Sequence, residues 1–574
     1  MISRSNYLLL LLAAALSQPH DTTAYITAHG AVPVTRQQEW LREMTSDIVA
    51  APPGMLTQDM LKQTSQIMNA WSQPRITERG GAAGAEGAMA VESLIRRIHE
   101  ERQSGNTLAY ATIDDYNCLL EGWARSKSGL AGAERCESIL TEMQDRHASS
   151  GEDDDTSTQV QPDLQSFKAV LMAWKTCGTS PVLAAVRAQR ILEWMIRLAS
   201  SGENPHVLPD ADSFDMVLQL WSRSGSKEAP LQTEKLLTAM ERLYLATSQE
   251  QVCPRTTSFN AALAAWCKAS SSSSQQQQPR QPYNSNQPYN SNQLNNHKSS
   301  SSSSSDQQKA LTRALEILTF MESGQVSYAK PDEVSYTIVV NALLKHPAYS
   351  PRMAALKAET LLKKAEGLGE APDTLMYNTV IGCWARSNQS GGYRKARSIL
   401  DRQIGNHERG SSDDSHSSST NNNKCKPDVY GFTSVIASCA MEPGSHQERT
   451  KAFHVALAAF QQLSRYDTPT HVTYGTMLKA CARLLPKDDK LREKWAKKIF
   501  RQSHQNGQVS DMVLSWFRNA VSLDIYMELM QGHKLNQLPA SWTCNVMERS
   551  NYTTHNNSNK HVGKLSLKRR KAEV

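Results

Sequence analysis

The sequence contains none of the cysteine or histidine patterns that build metal sites or disulfide frameworks. Its ten cysteines are scattered singly along 574 residues, with no Cys-x-x-Cys motif and no paired histidines. A zinc site needs closely grouped ligands, and a disulfide framework needs a dense set of cysteines. We therefore predict no metal site, and we expect cysteines such as Cys439 and Cys481 to be small core residues.

Catalytic motifs are absent as well. The sequence has no His-Glu-x-x-His, no Gly-x-Ser-x-Gly and no His-x-Glu accompanied by a cysteine pair. The glycine- and alanine-rich residues 80–87, which we interpret as a loop, lack the Gly-Lys-Ser/Thr ending of a phosphate-binding loop. We therefore predict that the protein is not an enzyme and uses no cofactor.

Long apolar runs are confined to the amino terminus. Residues 7–16 are apolar and follow a single positive charge at Arg4, which is the shape of a signal-peptide core and too short to span a bilayer. The residues that follow contain few acids, as transit-type signals do. We predict a targeting leader over residues 1–45 and no membrane insertion of the mature chain.

Strong net charge is also lacking. The formal charge of +7 is small for this length, so the composition permits a polyanionic partner without requiring one. The basic residues 568–571 lie in a predicted tail, residues 551–574, where they fit a solvated end, a nuclear signal or an RNA contact. A solvated end is the simplest of the three interpretations.

Against these absences stands a repeated pattern of aromatic residues. Five times an aromatic residue precedes a tryptophan by seven positions, and a weaker upstream copy ends at Trp71. The five pairs are Tyr116 and Trp123, Phe167 and Trp174, Phe214 and Trp221, Phe259 and Trp266, and Tyr377 and Trp384. Seven residues are two helical turns, so each pair lies on one helix face. We expect the tryptophans to pack between helices and not to stack on bases.

The pattern continues where tryptophan is missing. Leu343, Cys439 and Cys481 keep the same spacing from Tyr336, Phe432 and Tyr474. Each copy is followed by a second amphipathic segment, such as residues 133–143 or 188–195. A helix, a turn and a second helix repeated at intervals predict an array, in which each repeat buries its apolar face against its neighbours.

The linkers between repeats carry the most specific signal. A Pro-Asp pair stands four residues before the next aromatic, as in Asp163 and Phe167 or Asp332 and Tyr336. Proline ends one helix, and aspartate can cap the following one.

These motifs resemble the pentatricopeptide repeat, most closely at residues 330–337 and 371–378, which read Lys-Pro-Asp-Glu-Val-Ser-Tyr-Thr and Ala-Pro-Asp-Thr-Leu-Met-Tyr-Asn. The resemblance covers residues 60–510 and matches a P-type array without a catalytic carboxy-terminal domain. It implies an all-α, right-handed superhelical solenoid of helix-turn-helix repeats.

The departures from the family pattern are polar insertions. Residues of about 270–308 and 405–424, and a shorter segment at 149–160, are too polar to bury apolar surface and are predicted to be disordered. Residues 511–550 are predicted to be capping helices, with one helix over residues 511–531.

The resemblance also implies which residues read RNA. In the family, the residue after the first-helix aromatic and the last residue of the repeat together read one base of single-stranded RNA, one base per repeat. Carried over by position, the pairs are Asn117 with Asp163, Lys168 with Asp210, Asp215 with Arg255, Asn260 with Asp332, Thr337 with Asp373, Asn378 with Asp428, and Thr433 with Thr470.

By the same resemblance, Asn with Asp favours uracil and Thr with Asp favours guanine. The segment from Asn260 to Asp428 then prefers U-G-U, whereas the pairs that contain Lys168 and Arg255 contact the RNA backbone or nothing. A linker aspartate also serves as a helix cap without any RNA, so capping alone is a competing explanation for each copy.

The predicted function is sequence-selective RNA binding in organellar RNA processing, stability or translation, with other RNA-processing proteins as further partners. The leader favours a plastid slightly over a mitochondrion, with the secretory-pathway lumen as a weaker alternative. The alternative function is a tetratricopeptide-like scaffold that binds a protein or peptide, although the Pro-Asp-x-x-x-Tyr-Asn register does not match the tetratricopeptide pattern.

Overall fold

All regular structure in the described part of the protein is helical. The computed structural model describes residues 34–73, 82–149, 160–271, 301–346, 349–367, 372–410, 424–487, 489–530 and 538–546, and no strand occurs within these ranges. The chain divides into two compact units, Met1–Ala265 and Trp266–Val574. The boundary falls inside one helix, and each unit is described by itself.

Unit 1 consists of antiparallel helix pairs joined by short turns. Its helices are α1 (Val34–Ala50), α2 (Gln58–Ser72), α3 (Ala82–Gln103), α4 (Ile113–Arg125), α5 (Leu130–Ser149), α6 (Leu164–Thr176), α7 (Pro181–Ser201), α8 (Ala211–Ser224), α9 (Ala229–Thr247) and the larger part of α10 (Thr256–Ser271). Two 3₁₀ turns, Pro205–Val207 and Glu250–Val252, precede α8 and α10.

Unit 2 continues with the same kind of helix pair. Its helices are α11 (Ser301–Glu322), α12 (Glu333–Lys345), α13 (Pro351–Glu366), α14 (Thr374–Arg386), α15 (Gly392–Gly410), α16 (Val429–Ala440), α17 (His446–Leu463), α18 (His471–Leu484), α19 (Lys490–Gln505), α20 (Asp511–Ala520), α21 (Leu523–Met530) and α22 (Ala540–Thr543). Each hairpin has a first helix followed by a second helix. The first helices are the even-numbered ones from α2 to α8 and from α12 to α20.

Two layers of helices hold the core of each unit. Within a unit, a first helix packs on its own second helix and on the first helix of the next hairpin, as α14 does on α15 and α16. The second helix also packs on the next first helix, as α15 does on α16. The aromatic residues that define the repeat lie between these layers, and Phe167, Phe214 and Phe432 are fully buried. The predicted array of helix-turn-helix repeats is confirmed.

The tryptophans are packing residues, as the sequence predicts. Trp71, Trp174, Trp221 and Trp384 are all buried in the helix layers. Cys439 and Cys481, which replace tryptophan in later repeats, are completely buried too, and burial raises the pKa of both thiols to about 12. Trp123 and Trp266 are partly buried, so residues at this place mainly fill the space between helices.

Part of the segment predicted as a leader, residues 1–45, is described as a helix. Residues 1–33 lie outside the described residues, but residues 34–45 belong to α1. Leu41 of α1 is fully buried, and this helix packs on α2 and α3. The amphipathic pattern of α1 gives it an apolar face that a neighbouring helix can cover. The helical fold thus begins before residue 60.

The prediction of a loop at residues 80–87 is wrong from residue 82 onward. Those residues form the first turns of α3, where alanine favours the helix and Gly87 permits close packing. A Cβ atom at Gly87 would lie 3.4 Å from the ring of Trp71. The small residues that suggested a loop therefore let α3 approach α2.

The edges of the polar insertions are helical. Residues 301–308 form the start of α11, and residues 405–410 form the end of α15. In α15 the last turns are held by Ile404, which is buried, and by Gln403, whose Nε2 donates to the Cys425 carbonyl at 3.2 Å. The remainder of the insertions, residues 272–300 and 411–423, and residues 150–159, lie outside the described residues, as does the tail at 551–574.

The capping region is two helices where the sequence predicts one over residues 511–531. The break falls at Val521 and Ser522, where Val521 has an extended backbone. α20 repeats the geometry of a first helix, because Ser510 caps it and the Leu514 amide donates to the Ser510 carbonyl. The cap is therefore a further hairpin of the same kind. Residues 531–537 and 547–550 of the predicted capping region lie outside the described residues.

Candidate nucleic-acid interface

The linker aspartates cap first helices, as the sequence predicts. An oxygen of each accepts the backbone N–H three residues on, at 2.8 Å for Asp163, Asp332 and Asp373, 2.9 Å for Asp210 and 3.0 Å for Asp428. The cap fixes the position of the carboxylate relative to its helix. Capping uses mainly one oxygen, so it does not exhaust the hydrogen-bonding capacity of the group.

The residue after each aromatic faces the cap of the next first helix. Asn378 Nδ2 on α14 donates to Asp428 Oδ1 at 2.9 Å, and Asn117 Nδ2 on α4 lies 3.3 Å from both oxygens of Asp163. The two positions that the family resemblance pairs are therefore neighbours in space. We call the set of these pairs along the first helices the polar row.

The two Asn–Asp pairs differ in one neighbour. In unit 1, the hydroxyl of Ser166 donates to Asn117 Oδ1 at 2.6 Å. In unit 2, Gly431 stands at the equivalent place, and a Cβ atom there would lie only 2.5 Å from Asn378 Oδ1. Asn378 Oδ1 is shielded from water and accepts no hydrogen bond from a described residue.

The middle of the polar row in unit 1 is an ion-pair network. Lys168 Nζ lies 2.8 Å from Asp210 Oδ2 and 3.3 Å from Asp212 Oδ2. Arg255 Nη2 lies 2.6 Å from Asp212 Oδ1 and 2.8 Å from Asp215 Oδ2. Asp212 thus joins two pairs that the sequence pattern treats as separate.

The network shifts the pKa values of Lys168 and Asp212 in the directions that favour their ionised forms. Burial alone would lower the pKa of the Lys168 amine, but its hydrogen bonds to Asp210 and Asp212 outweigh burial and raise that pKa. The hydrogen bond from Arg255 and the one from Lys168 hold the pKa of Asp212 below its usual value, against a smaller effect of burial. These side chains therefore stay charged and paired near neutral pH.

Both carboxylate oxygens of Asp215 accept hydrogen bonds from other residues. Thr257 Oγ1 donates to its Oδ2 at 2.6 Å and Ser258 Oγ donates to its Oδ1 at 2.5 Å, in addition to the Arg255 contact. The carboxylate is buried. With both oxygens engaged, Asp215 has little capacity left for an external ligand.

Two further pairs lie in unit 2. Thr433 and Thr470 are linked through Thr473, whose Oγ1 lies 2.8 Å from Thr433 Oγ1 and 3.3 Å from Thr470 Oγ1. No hydrogen bond joins Thr337 to Asp373, and the buried Thr337 Oγ1 has no partner among the described residues. Two predicted pairs in unit 2 are thus not directly bonded.

Asn260 belongs to unit 1 and Asp332 to unit 2, so their pairing stays a prediction.

Sequence reasoning missed the residues that flank each pair. Ser166, Ser258 and Thr473 directly precede the aromatic of a first helix and bond to the polar row from the side. A serine recurs at this place in the Pro-Asp-x-x-Ser pattern, so the signal was present in the sequence. The part played by Asp212 had no such signal, because only the packing of α8 between α6 and α10 reveals it.

An exposed apolar side chain lies beside the polar row in unit 2. The residues two places before the aromatic in α12, α14, α16 and α18 are Val334, Leu375, Tyr430 and Val472, which are 37–57 % exposed. In unit 1 the same place holds Asp114, Gln165, Asp212 and Thr257. Exposed apolar groups next to fixed polar groups form a surface on which a flat, polar-edged ligand can pack.

Basic residues lie in the last turns of the first helices in both units. The last turn of six first helices carries a lysine or arginine nine places after the aromatic, and α6 has Lys175 one place earlier; the six are Arg125, Arg223, Lys268, Lys345, Arg386 and Arg483. In unit 1, Arg125 and Lys175 line a groove of about 420 Å³ together with Lys168 and Arg255. Burial and the neighbouring Arg223 lower the pKa of Lys175.

Two kinds of site are absent from the described ranges. No group of three or more His, Cys, Asp or Glu side chains is arranged there to hold a metal ion. Among the helices described, none combines the length and the apolar character that crossing a bilayer requires. The paired, capped first helices define a helical-repeat protein.

The comparisons with known proteins give structural neighbours only. No protein-family model matches the chain, and no curated protein matches it. Two crystal structures of the pentatricopeptide repeat protein PPR10 in complex with an 18-nt psaJ RNA element are similar to it, one of them with three cysteine-to-serine substitutions. Each is 16% identical to this chain, with a TM-score of 0.32. The matched region covers 93% of this chain and 69% of the PPR10 chain. A likeness at this level carries no inference about a ligand.

Proposed function

We propose that this protein binds single-stranded RNA along its first helices and reads bases through the polar row. The observation that carries the proposal is the Asn378–Asp428 pair, with its exposed neighbour Tyr430. The side-chain amide and the carboxylate are held at hydrogen-bond distance by the cap, so their orientation is fixed before a ligand arrives. A base needs such a polar edge and an apolar face at once.

The chemistry of this pair suits a pyrimidine edge. Asp428 Oδ1 accepts from Asn378 and from two backbone amides, whereas no described residue donates to Oδ2. A carboxylate oxygen in this state accepts the N3–H of uracil, a donor that cytosine lacks. Tyr430 would then contact the face of the base.

The base preference that we propose is U-G-U for the pairs Asn260/Asp332, Thr337/Asp373 and Asn378/Asp428. The first and third pairs carry the Asn–Asp combination and the second carries Thr–Asp. The pairs with Lys168 and Arg255 are proposed to leave bases unread, because their polar groups already bond to one another. Basic residues in the last turns of the first helices, such as Arg386, would neutralise RNA phosphates.

Binding is tested by crosslinking the purified protein to a random RNA pool and sequencing what is bound. We expect enriched U-G-U, and we expect Asn378→Thr to shift one position from uracil toward guanine. Asn117→Thr is the matched control, because Ser166 already occupies the amide oxygen of Asn117. RNA recovered no better than background, or a motif indifferent to Asn378→Thr, would remove the base-reading proposal.

The cellular role we propose is processing, protection or translation of an organellar transcript, together with other RNA-processing proteins. The basis is the leader-like sequence of residues 1–45, which favours a plastid slightly over a mitochondrion. A fusion of residues 1–60 to a fluorescent reporter tests the compartment. Reporter in the cytosol or in the secretory-pathway lumen would contradict it.

The second candidate function is a scaffold that binds a protein or peptide. The exposed apolar residues Leu375 and Tyr430 favour it, since an apolar strip also suits a peptide. The two functions differ in salt dependence, because phosphate contacts release counterions and apolar peptide contacts do not. Binding to RNA that weakens steeply with salt supports the first function, and salt-independent peptide capture supports the second.

A further inference from the structure

The last full hairpin carries an unusual second helix. α19 has basic residues at Lys490, Lys494, Lys497, Lys498 and Arg501, and we call these five residues the basic stripe. At 100° per residue they fall within an arc of about 100° on the helix surface. The buried residues of α19, among them Ala496, Ile499 and Phe500, lie on the opposite side.

Three basic side chains of other second helices pair with an acid of the neighbouring second helix. Arg135 pairs with Glu92 at 2.8 Å, Arg187 with Glu137 at 3.3 Å, and Lys364 with Glu322 at 2.6 Å, in each case with an acid of the preceding second helix. The basic stripe has no such acid. Among the described residues, none of its five side chains forms an ion pair, and the ammonium group of Lys498 lies 4.9 Å from the centroid of the Trp495 ring.

This arrangement works against the stability of the helix. Like charges three or four residues apart repel each other, and the single acidic residue of the helix, Glu493, does not offset five cations. A cluster of like charges on one helix face, which lowers the stability of the helix, is more readily explained by a partner than by folding.

The chemistry of the stripe selects among partners. A helix that inserts into a lipid surface must expose an apolar face, but Ile499 and Phe500 are 1 % and 2 % exposed because the hairpin covers them. A row of lysines provides mobile point charges without a carboxylate-matching fork, which suits phosphates spaced along a flexible chain. From Lys490 to Arg501 the row extends for about 16 Å.

We propose that the basic stripe of α19 binds the phosphate backbone of RNA that extends beyond the first-helix layer. The proposal rests on the proposed RNA-binding function and adds a second, sequence-independent contact on the opposite layer of the fold. Base pairs or bases are not read there, because the stripe holds no fixed amide or carboxylate. Its contribution is affinity, and that contribution depends on salt.

The test compares the binding of two RNAs by three full-length proteins, which are the wild type, a stripe variant and a control variant. The short RNA holds about eight nucleotides, one per repeat, and the long RNA adds about 20 nucleotides at each end, enough to pass beyond the array. The stripe variant carries Gln at all five positions. The control variant carries Gln at five exposed basic residues of other second helices, Arg190, Arg197, Lys235, Arg242 and Lys309, and so changes the net charge equally.

We expect the stripe variant to lose about tenfold or more in affinity for the long RNA and to bind the short RNA unchanged. The slope of log K against log salt should fall by about 0.7 for each phosphate contact that is lost. The control variant should keep the wild-type slope. Circular dichroism and thermal unfolding of both variants check that the hairpin is intact.

The outcomes separate this inference from the proposed function. If the wild-type protein binds both RNAs and the stripe variant keeps its affinity and salt slope on the long RNA, the stripe assignment is overturned and the proposed function stands. The assignment is also overturned if the stripe variant binds phosphatidylserine vesicles or an acidic protein more weakly than the wild type does, while its affinity for RNA is unchanged. A wild-type protein that binds neither RNA overturns both proposals.

Discussion

Asn117 in unit 1 and Asn378 in unit 2 occupy the same place in their hairpins, but their amide oxygens have different surroundings. Ser166 donates to the first, whereas Gly431 leaves the second without a donor. The difference extends along the polar row. In unit 1 the row continues into the Lys168, Asp212 and Arg255 ion pairs, and in unit 2 it is flanked by exposed apolar side chains.

The comparison teaches that a shared fold and register do not give a shared binding capacity. A hydrogen-bonding group that is already satisfied inside the protein must lose that bond before it meets a ligand, whereas an open acceptor gains one. The unit 1 network is therefore a poor base reader although its residues stand at the family's positions. Unit 2 holds the polar atoms of the row, such as Asn378 Oδ1, that no described residue satisfies.

Removing the carboxylate of Asp428 should have the largest effect. Asp428→Ala is expected to lower affinity for an RNA that contains U-G-U by about 10- to 100-fold, because one polar contact to a base is worth roughly 1–3 kcal/mol. Binding assays on the wild type and the variant measure this loss. Asp210→Ala is the control, since it removes an equivalent cap of about 1 kcal/mol from unit 1. Equal losses of affinity in the two variants would contradict the comparison.

Gly431→Ser should convert the unit 2 pair toward the unit 1 pair. The added side chain would crowd Asn378 Oδ1, since even its Cβ would lie 2.5 Å away, and its hydroxyl could then occupy that oxygen. We expect preference for uracil at this position to fall about tenfold, equivalent to about 1.4 kcal/mol. Sequencing of bound RNA measures it.

The reverse change, Ser166→Gly, should open the unit 1 pair and add a preference for uracil. If Gly431→Ser leaves base preference intact, the occupancy of the amide oxygen does not distinguish the two units.

Lys168→Asn should give unit 1 an Asn–Asp pair like that of unit 2. It replaces the ion pair with an Asn opposite Asp210, the combination found at Asn378 and Asp428. We expect a gain of a few-fold for an RNA that carries one additional uracil, with one partly buried ion pair of about 1 kcal/mol lost from stability. Lys168→Gln keeps a longer amide and is the matched control. A gain for both variants would attribute the effect to charge and not to the pair.

The smallest expected effect concerns pH and is confined to unit 1. His99 Nε2 lies 3.0 Å from Tyr116 Oη and 2.7 Å from an Arg146 guanidinium nitrogen, whereas Tyr336 and Tyr377 in unit 2 donate to the carboxylates of Glu322 and Glu366. Burial, reinforced by Arg146, lowers the pKa of His99 from 6.5 to about 4.

Because the folded-state pKa of His99 is below the unfolded one, the unfolded chain takes up the proton first as pH falls. Stability is therefore complete above about pH 6.5 and declines toward pH 4, by about 1 kcal/mol after allowance for the partial exposure of the ring. His99→Gln should flatten this decline in urea unfolding curves at pH 4.5 and 7. His454→Gln, at an exposed position, should retain it. A wild-type decline that persists in His99→Gln would assign it to other groups.

Much of the architecture was readable from residues that recur at fixed spacing. The aromatic–tryptophan distance of seven located first helices such as Phe167 to Trp174, and the Pro-Asp linkers located their caps, because both signals act within one helix. Boundaries next to small or polar residues were predicted wrongly. Residues 82–87, 301–308 and 405–410 are helical since packing and helix continuation outweigh local composition.

The sequence by itself thus determined the repeat, its helices and the position of each member of the polar row, because those depend on local periodicity and caps. Tertiary structure alone decided which members are occupied. Ser166, Asp212 and Gly431 belong to helices that follow the residues they affect, 44 to 53 positions along the chain, and their influence exists only where neighbouring first helices meet. The contact between neighbouring first helices therefore decides whether a polar group already has a hydrogen-bond partner.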